Sequence, residues 1–340
     1  MKRLPAPVLF ASLSGLLAAS FLLSLCVGAV RLSPADVYAA IGEALRGGES
    51  AALTILFSLR LPRAVLAVAV GAALAVAGTG FQGFFRNPLA DPYVIGASAG
   101  AALGAALALV AALPSFGPVS APAAAAFVGA LGATFLAFAV AAAAGNPPPA
   151  TALLLAGTAL GSLFSAALSF VLAVRDRDLH RVYYWLLGGF GGTTWTAVGA
   201  ALPVMALGCL LVFLASRPLD LLAFGEDTAD SLGLDVKRAR LVVAVGASLA
   251  AAAAVSAAGI IGFVGLVAPH AVRLVAGPSH RRLIPASAVA GALLVSLADL
   301  VSRVAAAPLE LPVGVITALI GAPFFLYLMA KYGKRGGLLP

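Results

Sequence analysis

Long apolar stretches separated by short polar connections run along almost the whole chain. A helix needs roughly 20 apolar residues to cross about 30 Å of hydrocarbon, and ten stretches reach or approach that length. Membrane-spanning helices are therefore predicted near residues 6–30, 64–84, 93–113, 121–144, 150–173, 195–215, 241–257, 259–276, 284–301 and 313–331. The short alternating strands of an outer-membrane barrel are not part of this pattern. The expected fold is an all-α polytopic membrane protein, with residues 1–340 forming one transmembrane domain.

The apolar stretch 241–276 has to be divided into two spans. At about 1.5 Å per residue, one continuous helix there would be ~54 Å long, which exceeds the thickness of the hydrocarbon. A tight turn near Ala257, Ala258 and Gly259 is expected to separate the two helices.

Two connections are long enough to fold by themselves. In residues 31–60, Ser33 followed by Pro34 is typical of a helix start, with the serine as N-cap and the proline in the first turn. In residues 216–240, an acidic and amphipathic sequence predicts two short helices broken at Gly233, with an ordinary solvated connection as the alternative.

Composition and charge support a membrane protein and orient it. The chain is 62% hydrophobic and only 10% charged, whereas soluble domains are about a quarter charged. With both termini in the cytoplasm, 13 of the 21 basic residues fall on the cytoplasmic side, as the positive-inside rule requires. Residues 31–60 then lie outside and residues 216–240 inside. The N-terminus resembles a lipoprotein signal ending at Cys26, but the apolar run to Val30 favours a retained first span.

The sequence lacks the groups that would power transport. No Gly-x4-Gly-Lys-Ser/Thr loop is present to hold the phosphates of ATP. No carboxylate lies at the middle of a predicted span, where ion-coupled carriers keep their acids. Cys26 and Cys209 are far apart in apolar stretches, without disulfide or metal-site spacing. We expect a chain without catalytic residues, bound metal or nucleic-acid partner, and an energy source on another protein.

Two motifs with possible chemistry have a simpler interpretation. Residues 96–100, Gly-Ala-Ser-Ala-Gly, have the form of a hydrolase nucleophile elbow, with Ser98 as nucleophile and His270 as a base. Small residues in membrane helices more often serve close packing, and no strand is predicted before the motif. His270 is expected to be a hydrogen-bonded packing residue, and the loop residue His280 has no partner pattern.

Arginines mark the predicted outer ends of two spans. Arg60, Arg63 and Arg303 lie at helix ends, from which arginine usually reaches to the membrane interface. Asp299 could pair with Arg303 as an i,i+4 neighbour. Because the outer face has few long loops, these arginines could instead bind carboxylates of a soluble partner.

A weak internal echo links residues 68–75 with residues 243–250. In the predicted topology these two segments run in opposite directions, as in an inverted repeat. Ala- and Gly-rich helices match easily by chance, so the repeat is only a hypothesis.

Motifs spread over most of the chain resemble those of a known transporter family. They are Arg60-Leu61-Pro62-Arg63, the turn from Gln82 to Pro92, residues 96–100, Tyr184-Trp185-Leu186-Leu187-Gly188-Gly189, residues 222–234, residues 262–270, residues 298–303 and residues 310–323. In this order and spacing they resemble the permease subunits of ABC importers for vitamin B12, ferric siderophores and haem.

The resemblance implies partners and a place in the cell. It implies two permease copies, as a homodimer or a close heterodimer, surrounded by lipid in a bacterial inner membrane. Two cytoplasmic ATP-binding subunits, which hold the ATP and Mg, would dock on residues 216–240, and a periplasmic binding protein would dock outside. The cargo would be a ferric siderophore, haem or cobalamin. An ion-coupled secondary transporter acting without an ATPase is the alternative.

The resemblance also implies roles for particular residues. Arg60, Arg63 and Arg303 match the arginines that meet acidic residues of the binding protein. The ATPase coupling loop would contain Phe224, Gly225, Glu226, Asp227, Leu232 and Gly233. Positions near the inner gate would be Asn87, Leu89, Ala150 and Thr151. The three prolines at 147–149 make the second gate segment unusually rigid.

Overall fold

The computed structural model describes residues 5–28, 30, 32–48, 50–115, 117, 119–145 and 149–333, and these are mostly helical. The α-helices are α1 (Ala6–Cys26), α2 (Pro34–Leu45), α3 (Ala51–Thr54), α4 (Leu61–Phe84), α5 (Ala97–Val110), α6 (Ala121–Ala142), α7 (Ala150–Val174), α8 (Leu179–Leu186), α9 (Trp195–Leu214), α10 (Ser216–Leu222), α11 (Glu226–Ser231), α12 (Val236–Ala258), α13 (Val264–Ala276), α14 (His280–Val304) and α15 (Val313–Gly333). Within the described residues no β-strand occurs, which confirms the all-α prediction.

Helices lie at all ten predicted spans. Seven described helical segments are long and apolar enough to cross a membrane, and three shorter apolar helices lie in α5, α13 and α15. The division of residues 241–276 is confirmed. The break is wider than a tight turn, because α12 ends at Ala258 and α13 begins only at Val264.

The second predicted span begins earlier than the sequence indicated. Helical backbone is continuous from Ala51 to Phe84, since α3 runs through a π-helical turn directly into α4. That turn ends with a hydrogen bond from the Leu61 N–H to the Leu56 carbonyl, the i→i+5 spacing of a π-helix. The later part of residues 31–60 is therefore helix rather than a connection.

The predicted helix start at Ser33 is confirmed. The Asp36 N–H donates to the Ser33 hydroxyl at 3.1 Å, and the Ser33 N–H donates to the Asp36 carboxylate at 2.8 Å. This reciprocal pair is a capping box, with Pro34 in the first turn. Hydrogen bonds from the Ser33 side chain and backbone hold the pKa of the Asp36 carboxyl below its ordinary value.

Contacts along α4 and α14 define the two ends of the bundle. The helices are antiparallel, because Arg63 binds Asp299 at 2.9 Å near one end and Gly83 faces His280 near the other. We call the end with Arg63 the arginine end. The opposite end, which holds α10 and α11, is the loop end.

Close glycine contacts bring helix backbones together. A Cβ added to Gly71 of α4 would lie 2.3 Å from the carbonyl oxygen of Gly291 in α14. One added to Gly78 would lie 1.9 Å from the carbonyl oxygen of Gly265 in α13. Small residues drive helix association in lipid, where apolar side chains gain little by leaving the surrounding hydrocarbon. These crossings have no room for a side chain.

The short helices α5 and α13 begin inside the bundle. Each follows a residue with left-handed backbone, Gly96 at φ +85° and Phe263 at φ +66°. The segments before the two helices meet, since the Tyr93 hydroxyl donates to the Ile261 carbonyl at 3.3 Å, and Ile261 is 1% exposed. Irregular backbone at membrane depth is tolerated where protein buries it in this way.

The internal echo falls on α4 and α12, which run in opposite directions. Gly80 faces Ala247, and Leu66 lines the same cavity as Ala257. Each helix leads into one of the short helices, α5 or α13. Their opposite directions are those of an inverted repeat, which stays a hypothesis.

Residues 216–240 contain two short helices, α10 and α11, as predicted, but the break between them was wrongly placed. It lies at Gly225, whose φ is +108°. Gly233, with φ +83°, instead follows α11 just before α12 begins. Glycine adopts positive φ without steric cost, so either glycine could have been the break and the sequence did not distinguish them.

Candidate docking and coupling sites

The predicted pair of Asp299 and Arg303 is confirmed and is part of a larger cluster. The Asp299 side chain is 1% exposed and binds Arg63 at 2.9 Å and Arg303 at 3.3 Å. One buried carboxylate thus lies between two guanidinium groups. Removing one member of such a buried group is strongly destabilising, because it leaves a charge without a counter-ion and without water.

Arg60 and Arg303 turn inward to the end of α1. The Arg303 Nη1 donates to the carbonyls of Ser24 and Val27, both at 3.0 Å, and the Arg60 Nη1 donates to the Leu25 carbonyl. The last carbonyls of a helix lack partners within it and attract cations. Both arginines are only 7% exposed. In this structure they hold α1 in place, rather than reaching outward to the interface.

Arg63 is the most accessible arginine of the three. Its Nη1 donates to the Glu310 carboxylate at 2.8 Å, while Nε donates to Asp299 at 3.0 Å. The Arg63 side chain is 13% exposed and that of Glu310 is 51% exposed. Together with Tyr184 and Trp185, the pair lines a cavity of about 470 Å³ at the arginine end. Of the cluster, Arg63 and Glu310 are therefore the residues that solvent reaches.

The loop end presents an exposed apolar pair beside acidic groups. Phe224 and Leu232 flank α11 and are 75% and 63% exposed. Glu226 and Asp227 form the first turn of the same helix. Apolar anchors with a charged surround are typical of a protein interface. These residues are among those that the sequence assigned to a coupling loop.

An ion pair attaches this surface to the bundle. The Arg240 Nη1 of α12 donates to Glu226 at 2.8 Å. The Arg240 guanidinium also lies 4.6 Å from the ring centroid of Phe84 at the end of α4, which is cation–π geometry. Phe84 contacts Phe138 of α6 edge-on. Through Arg240 and Phe84, α11 is thus connected by contacts to three long helices, α12, α4 and α6.

A second attachment, between Asp220 and His280, was not predicted. The Asp220 carboxylate of α10 accepts hydrogen bonds from the His280 N–H at 2.8 Å and from the ring nitrogen Nδ1 at 2.7 Å. The Ser279 hydroxyl adds a third bond at 3.3 Å. Asp220 therefore caps α14 from another segment of the chain. Sixty residues separate the partners, and only the Ser279-His280 helix start hints that an anion is needed there.

Replacing Asp220 with asparagine should loosen the contact between α10 and α14. Burial alone would raise the pKa of Asp220, but the bonds from His280 outweigh it and the pKa is lowered. The carboxylate therefore stabilises the fold fully above the ordinary aspartate pKa of 3.8 and ceases to do so as pH falls through the lowered value. At pH 7, amide hydrogen exchange in the first turn of α14 should accelerate several-fold in D220N.

The pH dependence separates this explanation from a general loss of structure. Once the pH has fallen through the lowered pKa of Asp220, D220N and the unaltered protein should exchange alike, since protonated aspartate and asparagine are both neutral. Asp230→Asn removes an exposed carboxylate from α11 and should leave α14 unchanged. Equal protection of D220N and the unaltered protein at pH 7 would contradict the capping role.

The predicted inner-gate residues lie at the loop end, and their role stays a prediction. Asn87 is exposed, and its side-chain oxygen accepts a hydrogen bond from the Leu89 N–H at 2.9 Å, which shapes the turn after α4. Ala150 and Thr151 form the first turn of α7. Of the segment predicted to be rigid, residues 146–148 lie outside the described residues.

The motif at residues 96–100 serves packing. A Cβ on Gly100 would lie 2.3 Å from the carbonyl oxygen of Gly129 in α6, and a 3₁₀ turn rather than a strand precedes the motif. His270 is buried and lies edge-on to Phe324, with ring centroids 6.2 Å apart. Neither of its ring nitrogens has a hydrogen-bond partner among the described residues. It is a packing residue, and the predicted hydrogen bond was wrong.

The fold and its two ends define a polytopic helical permease. A model of the FecCD transport family matches residues 16–331, and the chain belongs to this family. The cobalamin import system permease protein BtuC of Halobacterium salinarum is 48% identical over 283 residues, covering 83% of this chain and 75% of that protein. The vitamin B12 import system permease protein BtuC of Escherichia coli O157:H7 is 38% identical over 95% of this chain and 94% of its own.

Solved structures agree with this assignment. One described as an inward-facing conformation of a metal-chelate type ABC transporter has a TM-score of 0.82 and 31% identity, covering 96% of this chain and 99% of its own. PsaBC from Streptococcus pneumoniae, solved with a Fab, matches with a TM-score of 0.56 at 20% identity, a similarity of fold alone.

Proposed function

We propose that this chain is the membrane-spanning subunit of a binding-protein-dependent ABC importer with cobalamin as its cargo. The observation that carries the transport role is the surface at the loop end, where Phe224 and Leu232 are exposed beside an acidic helix start. The ion pair of Glu226 with Arg240 connects that surface to α12, and the hydrogen bonds of Asp220 with His280 connect it to α14. The cargo is inferred from relatives named for cobalamin import, at 48% and 38% identity.

The loop end would face the cytoplasm and the arginine end the outside. The distribution of basic residues supports this orientation, in which both termini are cytoplasmic. The permease would lie in the inner membrane of the cell. Two ATP-binding subunits would seat α10 and α11, and would supply ATP and Mg. Asn87, Leu89, Ala150 and Thr151 would then lie near the inner gate.

A second copy of the chain would complete the pathway. Only 6% of the most apolar window of α7 is buried within the chain, less than in any other candidate span of the described part. Its exposed side chains include Leu155, Leu163 and Phe170. These apolar side chains could contact either a second copy of the chain or lipid. The family resemblance favours a homodimer surrounded by lipid.

At the arginine end, Arg63 would receive acidic residues of the binding protein, while Arg60 and Arg303 support it from beneath. Cargo released there would pass through a pathway with few charges, and weak binding along a pathway favours passage over retention. Motion of the ATP-binding subunits would reach the long helices through Glu226 and Asp220.

A pull-down of the tagged chain in mild detergent, with mass spectrometry of its partners, tests this proposal. We expect a stoichiometric P-loop ATPase and a binding protein. Proteoliposomes of the recovered complex should then take up radiolabelled cobalamin on addition of ATP, in preference to ferric siderophore or haem. A chain that is always recovered alone, and that transports with an ion gradient, would instead establish the ion-coupled carrier.

A further inference from the structure

The charges around Arg63 are already balanced within the chain. The guanidinium binds the buried carboxylate of Asp299 on one edge and Glu310 on the other, at 2.9 and 2.8 Å. A carboxylate of a partner protein would therefore compete with these two acids for the donors of Arg63. Docking in the bidentate geometry that arginine and carboxylate groups favour requires that one of the two resident acids leave.

Glu310 is the acid that can leave. Its side chain is 51% exposed, whereas that of Asp299 is 1% exposed and also binds Arg303. An exposed ion pair contributes little stability, so separating Glu310 from Arg63 costs little. Removing Asp299 would leave the buried Arg303 guanidinium without its counter-ion.

The surroundings allow the exchange. Arg63 and Glu310 both line the cavity of about 470 Å³ at the arginine end. Glu310 follows an isolated bridge between Ala306 and Leu309 and precedes α15, so it belongs to a connection and not to a helix. An incoming side chain can enter the cavity while Glu310 swings into solvent.

We infer that Glu310 is a resident counter-ion that occupies the docking arginine until a carboxylate of the binding protein replaces it. The inference rests on the proposed function, because it presupposes docking at Arg63. Glu310 would then compete with the binding protein for Arg63. Neutralising Glu310 should therefore tighten the complex between the permease and the binding protein.

The test compares Glu310→Gln with the unaltered permease, using the binding protein recovered in the pull-down as the probe. At low salt, E310Q should bind it roughly two- to fivefold more tightly, since the exchange no longer breaks an ion pair. The difference should shrink at high salt, because screening weakens both pairs. Glu43→Gln is the matched control, since it removes the same charge from the exposed face of α2 at the same end and should change the affinity less than twofold.

Each outcome decides between explanations. Arg63→Gln should weaken binding severely, and unchanged binding by R63Q would overturn docking at Arg63. If the pull-down recovers no binding protein, or if the unaltered permease does not bind the recovered protein once both are purified, the proposed function fails. If it binds and E310Q binds equally or more weakly, then Glu310 positions Arg63 and the competing role is wrong. Thermal midpoints within a few degrees of each other would verify that E310Q is folded.

Discussion

Replacing Asp299 with asparagine should lower the thermal unfolding midpoint of the purified permease by roughly 5–10 °C, the equivalent of about 3–5 kcal/mol. The substitution keeps the size of the side chain and removes its charge. Arg303 and Arg63 would then be two cations close together with little access to water. Their mutual repulsion and lost solvation act against the folded state alone.

The matched control is Glu310→Gln at the other edge of the same arginine. It removes one carboxylate at the same hydrogen-bond distance, but from an exposed position. The midpoint should fall by no more than the equivalent of about 1 kcal/mol, as is usual for exposed ion pairs. Equal losses in the two variants, measured in one detergent at one ionic strength, would show that burial of Asp299 is not what matters.

Gly78→Val should prevent the permease from folding into a monodisperse particle. The added Cβ would overlap the carbonyl oxygen of Gly265, 1.9 Å away, and backbone atoms cannot turn aside as a flexible side chain can. Separating α4 from α13 by the required distance would break contacts along both helices. The expected cost of about 4 kcal/mol or more belongs to the severe class of core substitutions.

Gly132→Val is the control for Gly78→Val. It makes the same change of residue in a helix, but away from any close contact between helices. Gly132 is an exposed glycine of α6 with no atom within 4 Å of an added Cβ. This variant should give the normal yield and elution profile in fluorescence-detected size-exclusion chromatography. A G78V protein that elutes and melts like G132V would mean that α4 and α13 do not cross as closely as the structure has them.

The spans could be predicted because lipid imposes a simple rule on sequence. Apolar length alone predicted ten spans, and a helix lies at each of them. Local signals such as Ser33-Pro34 located a helix start. Helix ends were less predictable where a charged residue interrupts an apolar stretch without ending the helix. The π-helical turn before α4 is an example, since Arg60 lies in it and yet does not end the helix.

The sites were only partly predictable, because their contacts join distant segments. The family motifs identified Arg60, Arg63 and Arg303. Arg63 and Arg303 bind one acid, Asp299, whereas Arg60 binds the carbonyl end of α1. Sequence spacing could reveal the pair of Asp299 with Arg303, which lie four residues apart. It could not reveal the pair of Arg63 with Glu310, which lie 247 positions apart. Sequence could not show that Arg60 and Arg303 point inward, because their orientation depends on where α1 ends.

The glycine crossing of α4 and α14 limits how the two ends can influence each other. The helices touch backbone to backbone at Gly71 and Gly291, are joined by an ion pair at one end, and share the His280 contact at the other. Such a pair can neither slide nor spread without losing these contacts, and packed helices rearrange between discrete states. A common change of tilt is a rearrangement that keeps these contacts. If the two helices tilt together, binding of a partner at one face would move the helix ends at the other.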